Sequence, residues 1–360
     1  MDTYNRRTVL VSPLEWGLGH TVRVIPVIDH LIRSGHRVVI ASSGRSLQLL
    51  KDRFPNALHE KMSFPEIRYS RRGFSFLKLL LQLPIILRHV RANRKQVRDI
   101  IAKHNVTHII SDNRYGISSR GIPSAFITNQ LWLKAPKGFG WTEPLFYRYH
   151  LFILRNFMEI WLPDYRGMPN ISGIQTHPSR LPRKVRYLGP ISRFTRLEAV
   201  EPPGAMKADV LVLISGPEPQ RSILEEMLTE YFRWTARPAV IFRGLPPENQ
   251  GRNPRERQIG CIRWIDHGSD EHILWYILNT PFIICRPGNL TVTDLLMANR
   301  TALLVPTPGH TEQEYVARHL SEQKLFEYCP QRKIIAYLTA KDLDQASMKL
   351  RGKRVYNPTR

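Results

Sequence analysis

A glycine-containing turn near the N-terminus carries a histidine whose position suits acid–base chemistry. The segment PLEWGLGHTVR, residues 13–23, follows a predicted β-strand and precedes a predicted helix. Gly17 and Gly19 let the backbone turn sharply and approach a ligand, and the helix N-terminus that follows favours anions. An imidazole at His20 could accept or donate a proton near neutral pH. His20 could equally cap or pack the helix locally.

Two further strand ends carry residues that suit proton transfer or anion binding. SDNRYG contains Asp112, which is either a proton acceptor or, more often for such a residue taken alone, a helix cap. SGPEPQRS could present Ser215, Gly216 and Arg221 to a phosphate. Taken alone, that segment fits an ordinary strand-to-helix turn better.

The stretch CRPGNLTVTD, residues 285–294, joins an apolar run to a predicted helix that carries Thr291, Thr293 and Asp294. By itself it contains a strand end, a corner with a glycine and a helix N-terminus. Only the last of these indicates a ligand, because a helix N-terminus attracts negative charge.

The motifs of common cofactor and metal sites are not matched. In the first turn, the third glycine of G-x-G-x-x-G falls at Val22, and the second strand ends in ASSGR without the acidic residue that would hold a ribose. No G-x-x-x-x-G-K-[ST] segment occurs, and the three cysteines lack C-x-x-C spacing. We therefore expect no cofactor, no metal site and reduced thiols, as in a cytosolic protein.

Short apolar runs alternate with predicted helices in both halves of the chain. The runs are TVLVSP (8–13), RVVIASS (37–43), THIISD (107–112), SAFITN (124–129), EIWLPD (159–164), DVLVLISG (209–216), PAVIFRG (238–244), IGCIRWI (259–265), PFIICRPG (281–288) and TALLVPT (301–307). Several lack alternation, which is typical of strands covered on both faces of a parallel sheet. The sequence predicts an α/β protein with two Rossmann-like doubly wound domains, facing each other across a ligand cleft at the carboxyl ends of the strands.

The polar segment PISRFTRLEAVEPPGAMK, which contains proline and glycine, is the best candidate for a linker. We predict an N-terminal domain at 1–190, a linker at 191–207, a C-terminal domain at 208–340 and a basic tail at 341–360.

The net charge of +23 is unevenly distributed. Residues 1–200 carry 32 Lys and Arg against 12 Asp and Glu, whereas residues 201–360 carry 21 against 18. The excess predicts an anionic partner for the first half, namely a membrane surface, a nucleic acid or a phosphorylated substrate.

Residues 68–98 hold nine basic and no acidic residues around an apolar centre. A segment of this kind suits an anionic membrane surface, although a core helix with a solvated basic face is the alternative. Nucleic acid is disfavoured because the basic residues alternate with aliphatic rather than stacking aromatic side chains. The N-terminus does not resemble a signal peptide, and no apolar run of about 18 residues occurs. We expect a cytoplasmic protein, peripheral on the inner face of the membrane.

Together, CRPGNLTVTD and TALLVPTPGHTEQEYVARHL (301–320) resemble the GT-B glycosyltransferases of family 28, typified by the peptidoglycan enzymes that transfer N-acetylglucosamine from UDP. The family pattern Arg-Ser-Gly-Ala-Leu-Thr-Val-Ser-Glu corresponds to residues 286–294. Its Val-Pro and Gln-Gln-Tyr correspond to Val305-Pro306 and Gln313-Glu314-Tyr315. The glycine loop before His20 has one glycine fewer than in the family.

The resemblance implies a role for each matching residue. Arg286 and the turn and helix start at Gly288, Asn289, Leu290 and Thr291 would receive the donor diphosphate. Asp294 would bind the ribose, and the backbone of Ile265 would bind the uracil edge. Gln313 would bind the sugar, and Glu314 replaces a second sugar-binding glutamine, which leaves the identity of the sugar open.

The implied activity is inverting, metal-independent transfer of a hexose or N-acetylhexosamine from a UDP-sugar to a lipid-linked or amphipathic acceptor. Helix N-termini and an arginine would stabilise the leaving diphosphate, and either His20 or Asp112 would act as the base. One alternative is an enzyme similar to UDP-N-acetylglucosamine 2-epimerases, which needs carboxylates in the cleft. The other is a non-catalytic protein that binds polyanions or membranes.

Overall fold

The computed structural model describes residues 6–15, 18–62, 92–135, 138–245 and 256–341. The chain forms two compact units, with unit 1 ending at Arg193 and unit 2 continuing from Phe194. That boundary falls within residues 191–207. None of the helices in the described ranges has the length and apolar character needed to span a bilayer.

The described part of unit 1 contains a parallel sheet with helices. Its strands are β1 Thr8–Pro13, β2 Arg37–Ser42, β3 Leu58–Lys61, β4 His108–Asp112, β5 Ser124–Ile127, β6 Glu159–Leu162 and β7 Val185–Tyr187. Its helices are α1 Leu18–Arg33, α2 Gly44–Arg53, α3 at 92–104 and α4 Glu143–Ile153. The strand order is β3-β2-β1-β4-β5-β6-β7, with every neighbouring pair parallel.

Strand β1 shows why this sheet is covered on both faces. Val9 and Val11 pack in one apolar cluster with residues of α1, such as Ile28. Leu10, which points the other way, packs in a second cluster with residues of α3, such as Val97. Helices therefore cover both faces, and the strand is apolar without alternation.

The described part of unit 2 repeats this organisation. Its strands are β8 Val210–Leu213, β9 Ala239–Phe242, β10 Glu256–Ile259, β11 Ile262–Ile265, β12 Phe282–Cys285, β13 Leu303–Leu304 and β14 Glu327–Tyr328. Its helices are α5 Gln220–Thr235, α6 Asp270–Asn279, α7 Asn289–Met297, α8 Thr311–Glu322 and α9 Ile334–Ala340. The strand order is β10-β11-β9-β8-β12-β13-β14, and only the β10–β11 pair is antiparallel among these described strands.

The antiparallel pair corrects one predicted strand. The sequence analysis assigned IGCIRWI, residues 259–265, to a single strand, but the segment ends one strand and begins another. Gly260 has φ +58°, a left-handed conformation that favours glycine, and it reverses the chain between Ile259 and Ile262. The prediction failed because both sides of the turn are apolar.

Both sheets reverse their strand order at the first strand of the unit. In unit 1 the chain moves outward from β1 through β2 and β3, then returns to pair β4 on the other side of β1. In unit 2, β8 likewise lies between β9 and β12. In doubly wound sheets, ligands bind beside the carboxyl ends of the strands at such a reversal. The predicted doubly wound architecture of each half is therefore confirmed.

Candidate functional site

At the reversal point of unit 1, His20 lies beside Asp112. His20 is in the first turn of α1, and Asp112 is the last residue of β4. His20 Nδ1 is 2.9 Å from Asp112 Oδ1. The side chain of His20 is 22% exposed, whereas that of Asp112 is fully buried. The arrangement therefore presents an imidazole to solvent with a carboxylate behind it.

Arg23 connects these two side chains to a third strand end. Its Nε donates to Asp112 Oδ2 at 2.7 Å, and its Nη2 donates to Asp112 Oδ1 at 2.5 Å. Its Nη1 donates to Asn129 Oδ1 at 2.9 Å, just beyond β5. Arg23 lies one helical turn after His20, so helix α1 positions both residues over the ends of β4 and β5.

The guanidinium of Arg23 keeps Asp112 ionised. Burial acts to raise the pKa of Asp112, but the charges and hydrogen bonds of Arg23 and His20 together outweigh it and lower the pKa below its ordinary value. Asp112 is thus a carboxylate throughout the neutral pH range. Asp112 is fully buried and hydrogen-bonded to Arg23 and His20, so it can orient the imidazole. The role of Asp112 as the base stays a prediction.

His20 Nδ1 has both an acceptor and donors within reach. Arg23 Nη2 lies 2.6 Å from it, and Asn113 Nδ2 lies 3.5 Å from it. If Nδ1 carries the proton and donates to Asp112, Nε2 is free of a proton and can act as a base. The chemistry of the site therefore depends on which neighbour Nδ1 bonds to.

One of the two glycines before His20 lies in the part of the chain that the structure describes. Gly17 lies outside the described residues. Gly19 is described, and a Cβ at this position would meet nothing within 4 Å. Among the described residues, the backbone at Gly19 is therefore open on the side where a Cβ would lie.

A second carboxylate, Glu15, lies at the same edge of the sheet. It accepts hydrogen bonds from Ser42 Oγ at 3.1 Å and from Ser43 Oγ. The fully buried Arg114 places Nη1 3.5 Å from Glu15 Oε1 and donates to Ser12 Oγ at 3.1 Å. These bonds fix the loop after β1 to the ends of β1 and β2.

In unit 2, the predicted turn after β8 lies at the corresponding reversal point. Ser215 and Gly216 are exposed, and Gly216 has φ +114°. A Cβ on Gly216 would lie 3.5 Å from Thr307 Oγ1. That hydroxyl is buried and has no hydrogen-bond partner among the described residues. The turn therefore lies next to a buried polar atom whose hydrogen-bonding capacity is unused.

Arg221 is ion-paired within unit 2. It is buried, and its guanidinium bonds to Glu218 Oε1 at 2.5 Å and to Glu225 Oε2 at 2.7 Å. Two carboxylates already neutralise the side chain, and the phosphate binding expected of Arg221 stays a prediction. Arg221 ties the first turns of α5 together.

Arg286, which follows β12, hydrogen-bonds to backbone carbonyls of two other segments. Its side chain is fully buried. Its Nη1 donates to Val305 O at 3.0 Å, and its Nη2 donates to Gln220 O at 2.7 Å. Burial lowers the pKa of Arg286 to about 10, so the group stays charged at neutral pH. Arg286 joins the loops after β12 and β13 to the start of α5, and its Nε is buried without a partner among the described residues. Its direct contact with a diphosphate stays a prediction.

Helix α7 begins beside Arg286, as the sequence predicts. Gly288 is its N-cap residue and, as a glycine, has no side chain that could cap the helix. Asn289, Leu290 and Thr291 form the first turn and are partly exposed. Asp294, in the following turn, is only 1% exposed. The helix N-terminus and the buried cation of Arg286 together make this strand end electropositive.

The residues predicted to read the sugar and the base also support loops. Gln313 Oε1 accepts the Thr307 N–H at 2.8 Å, and Glu314 Oε1 accepts the Gly309 N–H at 3.0 Å. These bonds hold the loop between β13 and α8. Ile265 ends β11, and its carbonyl oxygen accepts the Arg243 N–H at 2.8 Å. A carbonyl oxygen has two lone pairs, so Ile265 O can accept a second hydrogen bond.

Comparison with known proteins finds a matching family model and solved structures of similar fold. The profile of Glycosyl transferase family 1 matches residues 13–121, which include His20 and Asp112. No curated protein sequence matches the chain. The glycotransferase of kitacinnamycin is 14% identical with a TM-score of 0.63, over 97% of this chain and 94% of that one.

Two other solved structures are similar along most of their length. MurG of Acinetobacter baumannii is 16% identical with a TM-score of 0.55, over 97% of this chain and 92% of that one. A putative UDP-N-acetylglucosamine 2-epimerase from Listeria monocytogenes is 11% identical with a TM-score of 0.62, over 96% and 91%. The chain has the GT-B fold.

Several residues at the reversal points of the two units were missed by the sequence analysis. They are Glu15, Arg23, Asn113, Asn129 and Thr307. Only Arg23 had a usable signal, because it lies three residues after His20 and so on the same face of a predicted helix. The others follow strands whose order in the sheet cannot be derived from the sequence.

Proposed function

We propose that the protein is an inverting glycosyltransferase similar to family 28. It transfers a hexose or N-acetylhexosamine from a UDP-sugar to a lipid-linked or amphipathic acceptor at the cytoplasmic face of a membrane. The observation that carries the proposal is the contact between His20 and Asp112 at the reversal point of a GT-B unit. A partly exposed imidazole with a buried carboxylate behind it is suited to remove a proton from a hydroxyl.

In the proposed reaction, His20 Nε2 takes the proton of the acceptor hydroxyl. The acceptor oxygen forms a bond to the anomeric carbon, and the bond from that carbon to the diphosphate oxygen breaks on the opposite face. The electron pair leaves with UDP, so the configuration inverts. Asp112 stabilises the imidazolium that forms, because its carboxylate stays ionised beside His20 Nδ1.

Unit 2 would bind the donor. The amides at the start of α7, the exposed turn at Ser215 and Gly216, and the positive field of Arg286 favour a diphosphate. Arg286 acts here at a distance rather than by contact. These groups can stabilise the leaving UDP without a metal ion, so we propose metal-independent transfer.

The remaining donor contacts follow the family resemblance. We propose that the backbone of Ile265 binds the uracil edge and that Asp294 binds the ribose. Gln313 would contact the sugar through its amide nitrogen, since its oxygen bonds to Thr307. Glu314 brings a carboxylate where the family has an amide, which changes the hydroxyl pattern that is recognised.

Binding of UDP should stabilise the protein against heat. At UDP concentrations of roughly a hundred times Kd, the stabilisation is about 2.7 kcal/mol, which raises Tm by about 5–10 °C for a domain of this size. Differential scanning fluorimetry with UDP, and with GDP as the control nucleotide, measures the shift. A melting temperature unmoved by millimolar UDP contradicts the donor proposal.

Thr307 offers a sharper test of the donor site. Replacing Thr307 by valine should leave Tm unchanged or slightly higher, because the buried hydroxyl has no partner among the described residues. If that hydroxyl bonds to the diphosphate, UDP affinity should fall by about tenfold, as for a hydrogen bond to a charged group. Isothermal titration of Thr307→Val with UDP measures the change, and Thr301→Val, whose hydroxyl bonds to Leu325 O, is the matched control. Equal UDP affinities for Thr307→Val and the unmodified protein would remove Thr307 from the site.

An epimerase is the second candidate function. The similarity to the putative Listeria enzyme and the two carboxylates at one sheet edge, Glu15 and Asp112, favour it. Incubation with UDP-N-acetylglucosamine in deuterated water distinguishes the two. Deuterium at C2 without an acceptor supports epimerisation, whereas UDP release that depends on an acceptor supports transfer.

The membrane component of the proposal rests on residues 68–98. Residues 63–91 lie outside the described residues, so most of this segment has no structural account here. The proposal for the segment is carried by its charge alone, with nine basic and no acidic residues.

A further inference from the structure

Helix α4 of unit 1 and the short turn before it expose four large apolar side chains. Trp141 is 77% exposed, Leu145 66%, Phe152 57% and Tyr149 49%. The spacings of four, four and three residues place these side chains on one face of the helix. We call this set the outer face of α4.

The two faces of α4 are inverted relative to an ordinary surface helix. Its buried positions include the polar residues Glu143 and His150, together with Tyr147. Glu143 accepts hydrogen bonds from Trp132 Nε1 and Lys134 Nζ, and His150 bonds to Leu131 O. Specific polar contacts thus hold the helix to the unit, while the more apolar face is left exposed. Clusters of exposed apolar side chains mark interaction sites.

The exposed charged side chains on α4 and on the short turn that follows it are positive. Arg148 and Arg155 are exposed, and the Arg155 guanidinium lies 4.2 Å from the centroid of the Phe152 ring. The only acidic residue in the helix is Glu143, which is buried and paired with Lys134. A partner for this face must therefore be apolar at its centre and anionic at its rim.

We propose that the outer face of α4 docks onto an anionic lipid surface. Tryptophan, tyrosine and phenylalanine suit the boundary between headgroups and acyl chains, and the two arginines meet anionic headgroups. The inference does not depend on the proposed reaction, because it rests only on described surface residues. It also adds a contact separate from residues 68–98.

Vesicle co-sedimentation of the full chain tests this surface. The double variant Trp141→Ser/Phe152→Ser should bind vesicles that contain phosphatidylglycerol about 100-fold more weakly, roughly tenfold for each lost aromatic side chain. The variant Arg148→Gln/Arg155→Gln should lose about 25-fold on the same vesicles and almost nothing on neutral phosphatidylcholine. Trp234→Ser is the matched control, since Trp234 is 74% exposed but lies on α5 of unit 2, and its vesicle binding should be unchanged.

Several results overturn the proposal. Unmodified protein that does not bind anionic vesicles, or an aromatic double variant that binds as well as the unmodified protein, removes the lipid surface as the partner. Binding that is lost only on neutralising Arg71, Arg72, Arg88 and Arg91 assigns it to residues 68–98 instead. A dimer dissociated by the aromatic substitutions identifies a second copy as the partner. A large loss of Tm in the double variant means that the face is covered by the chain itself.

Discussion

Replacing His20 by alanine is expected to lower turnover by about 100-fold or more, while UDP affinity changes little. The imidazole is the partly exposed group of the pair, so it alone can reach a substrate hydroxyl. Removing it takes away the proposed proton acceptor but leaves unit 2 intact. Steady-state kinetics with a UDP-sugar and an acceptor, together with UDP titration, separate the two effects.

Asp112→Asn should lower turnover by a comparable factor for a different reason. The amide is neutral, so it no longer stabilises the imidazolium or selects the tautomer with the proton on Nδ1. The burial of Asp112 beside Arg23 means that this variant also loses stability, which a melting curve would report. His20→Ala thus tests the base, and Asp112→Asn tests the group that orients it.

A histidine on the same helix provides the control for His20. His30→Ala changes an exposed residue in the last turn of α1 and should leave turnover unchanged. Near-normal turnover of His20→Ala, or an equal loss in His30→Ala, would show that the imidazole of His20 is not the base.

The second large effect is expected from Arg286→Met. The substitution removes the donor to the buried Val305 O and to the partly buried Gln220 O, and each lost bond costs up to about 1–3 kcal/mol. Unfolding free energy should therefore fall by about 2–6 kcal/mol, which lowers Tm by roughly 5–20 °C for a domain of this size. Urea unfolding of the folded variant measures the change.

The Arg286→Met variant also distinguishes a buried residue that stabilises the fold, here called an anchor, from a residue that binds the diphosphate directly. A direct phosphate ligand would lower UDP affinity without a large change in stability, whereas a buried anchor lowers stability first. Arg332→Met, at an exposed position in the same unit, is the matched control and should change unfolding free energy by less than about 0.5 kcal/mol. Normal stability of Arg286→Met together with lost UDP binding would restore the direct contact predicted from the resemblance.

Central strands were predictable from the sequence, and edge strands were not. β1 and β12 carry apolar residues on both faces, so their composition alone identifies them. β3, with the sequence LHEK, and β14, with only two residues, are partly exposed and carry no such signal. Their pairing depends on neighbours that are distant in the sequence.

The site was partly predictable for a related physical reason. Motif position placed His20 and Asp112 at strand ends, but their contact across 92 residues depends on the order of strands in the sheet. The side-chain direction of Arg286 was not predictable, because a motif gives residue identity and not burial. The same arginine can bind a phosphate or bond two carbonyls, and only the packing of β12 and β13 decides between them.

The central position of β1 has a consequence for synthesis on the ribosome. Its hydrogen-bonding edge toward β2 can be satisfied early, but the other edge pairs with β4, which begins at His108. About 95 further residues must be added after Pro13 before that partner starts to emerge. At roughly 5–20 residues per second, this takes about 5–20 s. During that interval one edge of this apolar strand has unpaired backbone N–H and C=O groups that are open to intermolecular pairing, so chaperone capture should matter most before residue 112 leaves the exit tunnel.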